Sequence, residues 1–408
     1  MRCAAAVEPN GKSGFKHSIR HKTEVKMKTS LYPKYHYPWR EGNQYRLLID
    51  GHVFFPAMLN AIAAAQHYIL LEIYLISSGT VATRFMDALA QAVSRGVHVR
   101  VLLDDFGAGG FSKADRQKLL LSGVKVAYYN PVRFSKWWRN LFRDHRKLLL
   151  VDGRQAFVGG AGLTDDFDPP KNPERRWRET MVEIRGANVT DWRQLFESNW
   201  SHWSDERLGL PHNTTKEGTM SGRVTICQWA GRTEIMRSLI KRTRSAQHRA
   251  WIATAYFVPS WKLLRALRAA ARQGTDVRLL VPGPYMDHPG VRFAAHRFYS
   301  RLLRSGVRVF EYQPRFLHAK VLLCDNWASI GSSNIDRWNL RWNLEANQEV
   351  EDQGFADKVR ASFEEDFRHS TEILYATWRQ RRWKQRLREW FWGRIDRLVN
   401  SDAKDEIH

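Results

Sequence analysis

One half of this chain is a copy of the other, and that limits its possible folds more than any other feature. AQHYILLEIYLI at 65–76 returns as AQHRAWIATAYFV at 246–258, and LAQAVSRGVHVRVLLD at 89–104 returns as LRAAARQGTDVRLLVPG at 267–283. LLLSGVKVAYYN at 119–130 returns as LLRSGVRVFEYQ at 302–313. HRKLLLVD at 145–152 and HAKVLLCD at 318–325 then follow in the same order. The offset stays between 173 and 183 residues, so one ancestral unit occurs twice. Within each copy, helical and strand patterns alternate. Apolar helices are predicted over 82–95 and 261–273, ending at the C-cap residues Gly96 and Gly274, with strands following at 98–104 and 277–282. Buried strands alternating with amphipathic helices predict an α/β fold of two tandem α/β/α units, each a sheet covered by helices on both faces. A pseudo-twofold axis should relate the units, with one shared active site at their interface. The expected boundaries are a basic N-terminal tail at 1–38, a first unit at 39–205 and a linker at 206–222 carrying the polar run GLPHNTTKEGTMSG. A second unit at 223–372 and a basic amphipathic tail at 373–408 complete the chain.

The repeated His-x-Lys run is the candidate site. On an extended segment His145 and Lys147 are two residues apart and share a face, as do His318 and Lys320. A lysine inside an apolar strand is costly without a negative partner, and here both copies carry one. Two such pairs facing each other suit phosphodiester chemistry. One neutral imidazole attacks phosphorus while the other, protonated, gives its proton to the leaving alkoxide. The lysines supply fixed positive charge to the phosphoryl oxygens, so neither a metal nor a cofactor is expected. Asp152 and Asp325 close the two motifs. A carboxylate beside a phosphate would repel it, so they read as hydrogen-bond acceptors that hold the local turn, not as groups in bond breaking. GGAG at 159–162 and GSSN at 331–334 would let an anion approach the backbone, with Gly160 and Ser332 as candidate phosphate contacts. A carboxylate should fix the tautomer of each histidine. Glu179 in WRETMVEIRG and Glu345 in NLEANQEVED are the candidates, one downstream of each motif.

Composition narrows the partner. The net charge of +23 implies an anionic surface, either nucleic acid or an anionic membrane. Seventeen tryptophans favour the membrane, because indole rings settle at headgroup level. No recognised nucleic-acid-binding module is visible, so no stable nucleic-acid partner is expected. No uninterrupted apolar run reaches membrane-spanning length, so the expected contact is peripheral. Residues 376–400 place Trp383, Leu387, Trp390, Phe391, Ile395 and Leu398 at helical spacing among arginines, the pattern of an interfacial helix on anionic lipid. WWRNLFR at 137–143 is a second candidate contact. Cys3, Cys227 and Cys324 have neither paired nor metal-ligand spacing, which fits a reducing compartment.

The two His-x-Lys-x4-Asp motifs, the GSSN tract and NLEAN at 343–347 resemble the phospholipase D superfamily. WREGNQYRLLIDG and HAKVLLCDNWASIGSSNIDRWNLRWNLEAN are more specifically similar to bacterial cardiolipin synthases of the short, cardiolipin synthase B-like form. The resemblance covers residues 39–372 and implies a phosphohistidine on His145, with His318 as general acid. It assigns Lys147, Lys320 and Asn334 to phosphate and Glu179 and Glu345 to the histidines. It further implies transfer of a phosphatidyl group from phosphatidylglycerol to a second phospholipid, with glycerol released, at an anionic phospholipid membrane. The expected place is the bacterial inner membrane, bound peripherally on its cytoplasmic side. A phospholipase D that hydrolyses phospholipid to phosphatidic acid is the alternative. A nuclease is a more distant one, and the sequence leaves the oligomeric state open. Two departures stand out. Gly162 occupies the place of the first half's asparagine, and the turn after Asp325 is one residue short.

Overall fold

The computed structural model describes residues 35–133, 139–210, 216–228, 232–336 and 342–381. The N-terminal tail up to residue 34 and most of the C-terminal tail lie outside them, as do Trp137 and Trp138.

The first half supplies β1 (Arg40–Ile49), α1 (Gly51–Ala64), β2 (Tyr68–Ile73), α2 (Thr80–Ser94), β3 (His98–Asp104), α3 (Lys113–Leu121) and β4 (Lys125–Tyr129). After these come β5 (Lys147–Val151), β6 (Gln155–Gly159), β7 (Thr180–Gly186) and α4 (Asn188–Trp203). The second half begins with β8 (Met220–Gln228), β9 (Arg232–Thr233), α5 (Glu234–Ser245), β10 (Arg249–Ala253), β11 (Phe257–Val258) and α6 (Trp261–Arg272). It continues with β12 (Asp276–Pro282), α7 (Pro289–Leu303), β13 (Arg308–Tyr312), β14 (Val321–Cys324), β15 (Trp327–Gly331) and β16 (Ile335–Asp336). β17 (Glu345–Glu351), α8 (Gln353–Arg368) and β18 (Ser370–Glu372) follow.

The strand order repeats the duplication. From β1 it runs β7–β6–β5–β2–β3–β4, and from β8 it runs β17–β15–β14–β10–β12–β13, with β18 beyond. In each half the three outer strands of these series are parallel and the inner ones antiparallel. β1 and β8 join the two series through only two register points, Arg40↔Gly222 and Asn43↔Met220, with a bulge between. The predicted units are therefore two halves of one hydrogen-bonded sheet. Gly96 and Gly274, with φ of 86° and 96°, follow α2 and α6 in the left-handed region that glycine reaches without strain.

Burial explains the near-continuous apolar motif strands. Leu148 and Leu150 on one side of β5 join Val321 and Leu323 of β14 in a core shared by both halves, into which α4 also packs. Leu149 and Val151, on the opposite side, belong to a separate core with α1 and α2. Leu322 and Cys324 belong to its counterpart with α6 and α7. Strands buried on both faces have no solvent side to mark with polar residues. The shared core fixes one half against the other.

Candidate active site

Each motif enters its strand at the carboxyl edge of its half's parallel strands. Lys147 opens β5 opposite Ile73, the last residue of β2, and His145 lies two residues before the strand. In the second half the strand starts one residue after Lys320. Both histidines are therefore on extended lead-in segments, and each lead-in pairs with the other half. The His145 amide donates to the Leu344 carbonyl at 3.0 Å, and the His318 amide donates to the Arg178 carbonyl at 2.8 Å. Isolated bridges Asp144↔Leu344 and Arg178↔Leu317 complete these contacts.

That pairing brings each histidine to the opposite half's carboxylate. His145 Nδ1 lies 3.1 Å from Glu345 Oε2 and 2.9 Å from its Oε1, and His318 Nδ1 lies 2.5 Å from Glu179 Oε2. Each imidazole is anchored through Nδ1, which leaves Nε2 for a ligand. Lys320 Nζ sits 2.9 Å from His318 Nδ1 and 3.6 Å from Glu179 Oε2. Lys147 Nζ donates to the His145 carbonyl and lies 5.0 Å from the centre of the Tyr74 ring.

Burial sets the charge states. Lys147 and Lys320 are 3% and 2% exposed. Desolvation pushes Lys147 down to about 7, and it lowers Lys320 too. It lowers both histidines, His318 strongly, and the positive charges of Lys320 and Lys147 add to the effect there. Glu179 is pushed up to about 7. Burial thus disfavours the lysine charges and holds the imidazoles neutral. An arriving phosphodiester anion relieves both, because its charge stabilises ammonium and imidazolium alike.

The remaining expected residues take different places. Asp152 and Asp325 hold strand starts far along the chain, not their own turns. Asp152 accepts from the amides of Gln66, His67 and Tyr68 at 2.8–2.9 Å, and Asp325 accepts from those of Gln247, His248 and Arg249 at 2.8–3.0 Å. Each aspartate has φ of 51°. Ser332 and Gly160, expected at phosphate, are turned to the carboxylates. The Ser332 hydroxyl donates to Glu345, and a Cβ at Gly160 would fall on the Glu179 carboxylate. Asn334 is buried, and its side-chain oxygen has no hydrogen-bond partner among the described residues. Gly162 faces the Leu75 carbonyl oxygen, 2.5 Å from where a Cβ would stand, so an asparagine there would need the backbone to move. The short turn after Asp325 is absorbed in the hairpin. Cys324 pairs with Trp327 across two residues, whereas Val151 pairs with Gln155 across three.

Two buried charge clusters, not anticipated from the sequence, back the lead-ins. Behind His145, Arg146 bonds Asp144 and Glu72 at 3.0 and 2.8 Å, and Asn199 bridges the same two carboxylates. Behind His318, Arg178 grips Asp366 with two bonds at 2.9 and 2.8 Å. The only available sequence signal was the position of Arg146 and Arg178 beside motif residues.

Duplicated α/β halves, each setting its His–Lys pair against the other half's carboxylate, define a protein of the phospholipase D class. The family "Cardiolipin synthase, PLD-like domain" matches residues 58–200 and 239–367, one match on each half. The chain belongs to that family, and it is a phospholipid phosphatidyltransferase of the phospholipase D superfamily. It is 38% identical over 331 residues to cardiolipin synthase B of Salmonella typhimurium, covering 79% of this chain and 80% of that one. To cardiolipin synthase A of Pseudomonas aeruginosa it is 33% identical, covering 89% of this chain and 74% of the other. Among solved structures, phosphatidylserine synthase of Haemophilus influenzae shares the fold at a TM-score of 0.65 and 13% identity, over 89% of this chain and 94% of that one. No described helix is long and apolar enough to cross a membrane.

Proposed function

We propose that the protein makes cardiolipin by a two-step transfer through His145. The observation that carries this reading is the crossed pairing, which holds both imidazoles by Nδ1 and leaves each Nε2 for a phosphate that Lys147 and Lys320 would flank. His145 Nε2 attacks the phosphorus of phosphatidylglycerol. The P–O bond to glycerol breaks, and His318, charged once the phosphate is bound, gives glycerol its proton. A hydroxyl of a second phospholipid, most simply phosphatidylglycerol, then passes its proton to His318 as its oxygen bonds to phosphorus and the P–N bond to His145 breaks. Asn334, buried after the second motif, is a further phosphate-binding group through its side-chain N–H, since its amide oxygen can only accept. Peripheral attachment at the cytoplasmic face of the bacterial inner membrane is part of the same reading.

Supplied with phosphatidylglycerol in bilayers, the protein should release glycerol and form cardiolipin with little phosphatidic acid. His145→Ala should remove both products. His318→Ala should lose about 10²–10⁴-fold, the usual range for a missing general acid. It should recover partly on a p-nitrophenyl phosphatidyl ester, whose leaving group needs no proton. Recovery in His145→Ala instead would reverse the two roles, and phosphatidic acid as main product at saturating acceptor lipid would make the protein a phospholipase.

A further inference from the structure

The two histidines do not have the same surroundings. His318 is enclosed by three rings: Phe167, Trp177 and Phe316 lie with centroids 5.5, 5.2 and 5.6 Å from the imidazole. The rings also touch one another, Phe167 to Trp177 at 5.2 Å and Trp177 to Phe316 at 4.9 Å. Phe167 and Phe316 are buried, and Trp177 is the wall that reaches solvent. Phe167 and Trp177 come from the first half, on the segment that ends in Glu179, so this half supplies both the carboxylate and two of the three rings around the second half's histidine. Among the described residues, two of the pseudo-equivalent positions on the other side carry no ring. Arg143 stands two residues before His145 as Phe316 stands before His318, and Asn343 precedes Glu345 as Trp177 precedes Glu179. Among the described ring contacts, His145 has Tyr74 alone, at 4.7 Å.

We propose that the box of Phe167, Trp177 and Phe316 seats the attacking hydroxyl at His318 and keeps water out of the second step, so that Trp177 determines the choice between transfer and hydrolysis. The inference rests on the phosphatidyltransferase reading above. Water and a lipid alcohol attack the same phosphohistidine, and each must hand its proton to His318 as its oxygen displaces the His145 nitrogen. Ring faces offer water no good hydrogen-bond partner. The methylene groups of a glycerol headgroup can pack on an indole while its hydroxyl faces the imidazole. The same box holds the departing glycerol in the first step, since leaving and attacking oxygens occupy one position by microscopic reversibility. Replacing the indole by a methyl group would leave room for about three or four waters at about 30 Å³ each. Water beside the intermediate then competes with the positioned alcohol, whose advantage is proximity.

The test uses the full-length protein, a p-nitrophenyl phosphatidyl ester as donor and glycerol as acceptor. The measured quantity is the ratio of phosphatidic acid to phosphatidylglycerol formed. Both come from one intermediate, so the ratio does not depend on how much rate a variant loses. Trp177→Ala should raise it by about ten-fold or more, and Trp177→Phe should stay within about three-fold of the parent. If Trp177→Ala does not fold, Trp177→Val carries the same expectation. A ratio unchanged in the folded Ala or Val variant overturns the box and leaves the proposed function standing. A parent that partitions to glycerol but makes no cardiolipin from phosphatidylglycerol alone overturns the lipid assignment and leaves the box.

Discussion

The His145 side and the His318 side of the cleft descend from one sequence and have diverged in their support. Glu345, which holds His145, also receives the Ser332 hydroxyl. Glu179, which holds His318, lies against Gly160 at the corresponding place and has Lys320 within 3.6 Å. His145 has one described ring against it, Tyr74, while His318 has three, although the two side chains are similarly shielded at 12% and 9% exposure. A twofold frame gives the same geometry twice, and chemistry that needs a nucleophile on one side and a proton carrier on the other uses the differences. The imidazole with the single ring neighbour suits attack on a lipid phosphate. The enclosed one suits passing a proton between oxygens with water kept away.

The comparison is broken most directly at the carboxylates. Glu345→Gln should impair the step at His145 and so slow turnover of both phosphatidylglycerol and the p-nitrophenyl ester by about 10²–10⁴-fold, because the amide cannot hold the required tautomer. Glu179→Gln should match that loss on phosphatidylglycerol but spare nitrophenol release in the first turnover. Burst measurements on the two variants separate the roles, and identical losses on both donors would mean that the halves are interchangeable.

A smaller effect is expected at the Ser332 and Gly160 pair. Ser332→Ala removes one donor from Glu345 and should cost about ten-fold in turnover, with the fold kept. Gly160→Ala drives a methyl group into the Glu179 carboxylate and should destabilise the protein by about 1–3 kcal/mol, visible as a lowered Tm. Equal behaviour of the two alanine variants would remove the asymmetry claimed for the carboxylates.

The mildest test is the pH dependence of anion binding. Lys147 loses its charge as the pH rises through about 7, and Glu179 gains one in the same interval. Both changes repel an anion, so inhibition by sulfate, whose own charge is constant there, should weaken as the pH rises past about 7. Lys147→Met should flatten its share of this profile, leaving only the Glu179 contribution. A profile that strengthens with pH would contradict the sign argued here.

Several features were legible from the chain alone because they repeat. The duplication, the two motifs and the helix-ending glycines recur at a near-constant offset, Glu179 and Glu345 each follow a motif, and local patterns such as C-caps and two-sided strand burial need only a few neighbours. The membrane helix expected over 376–400 lies mostly outside the described residues. Where its start is described, Trp378 is buried against His296 and Tyr299 of α7, so the beginning of the tail packs on the domain.

Other features depended on segments far apart in sequence. Which carboxylate serves which histidine is settled by contacts spanning 200 and 139 residues, made when the shared core seats one half on the other. The offset between repeats carries no information about that docking, since a carboxylate downstream of each motif fits straight or crossed pairing equally well. The same distance hid the partners of Asp152 and Asp325, which hold the starts of β2 and β10, and the rings around His318, which as single aromatic residues look like any core. The sequence by itself determined the chemical groups and the fold of each half. Tertiary structure alone decided their pairing, because a side chain's partner is set by the packing of whole faces and not by its neighbours in the chain.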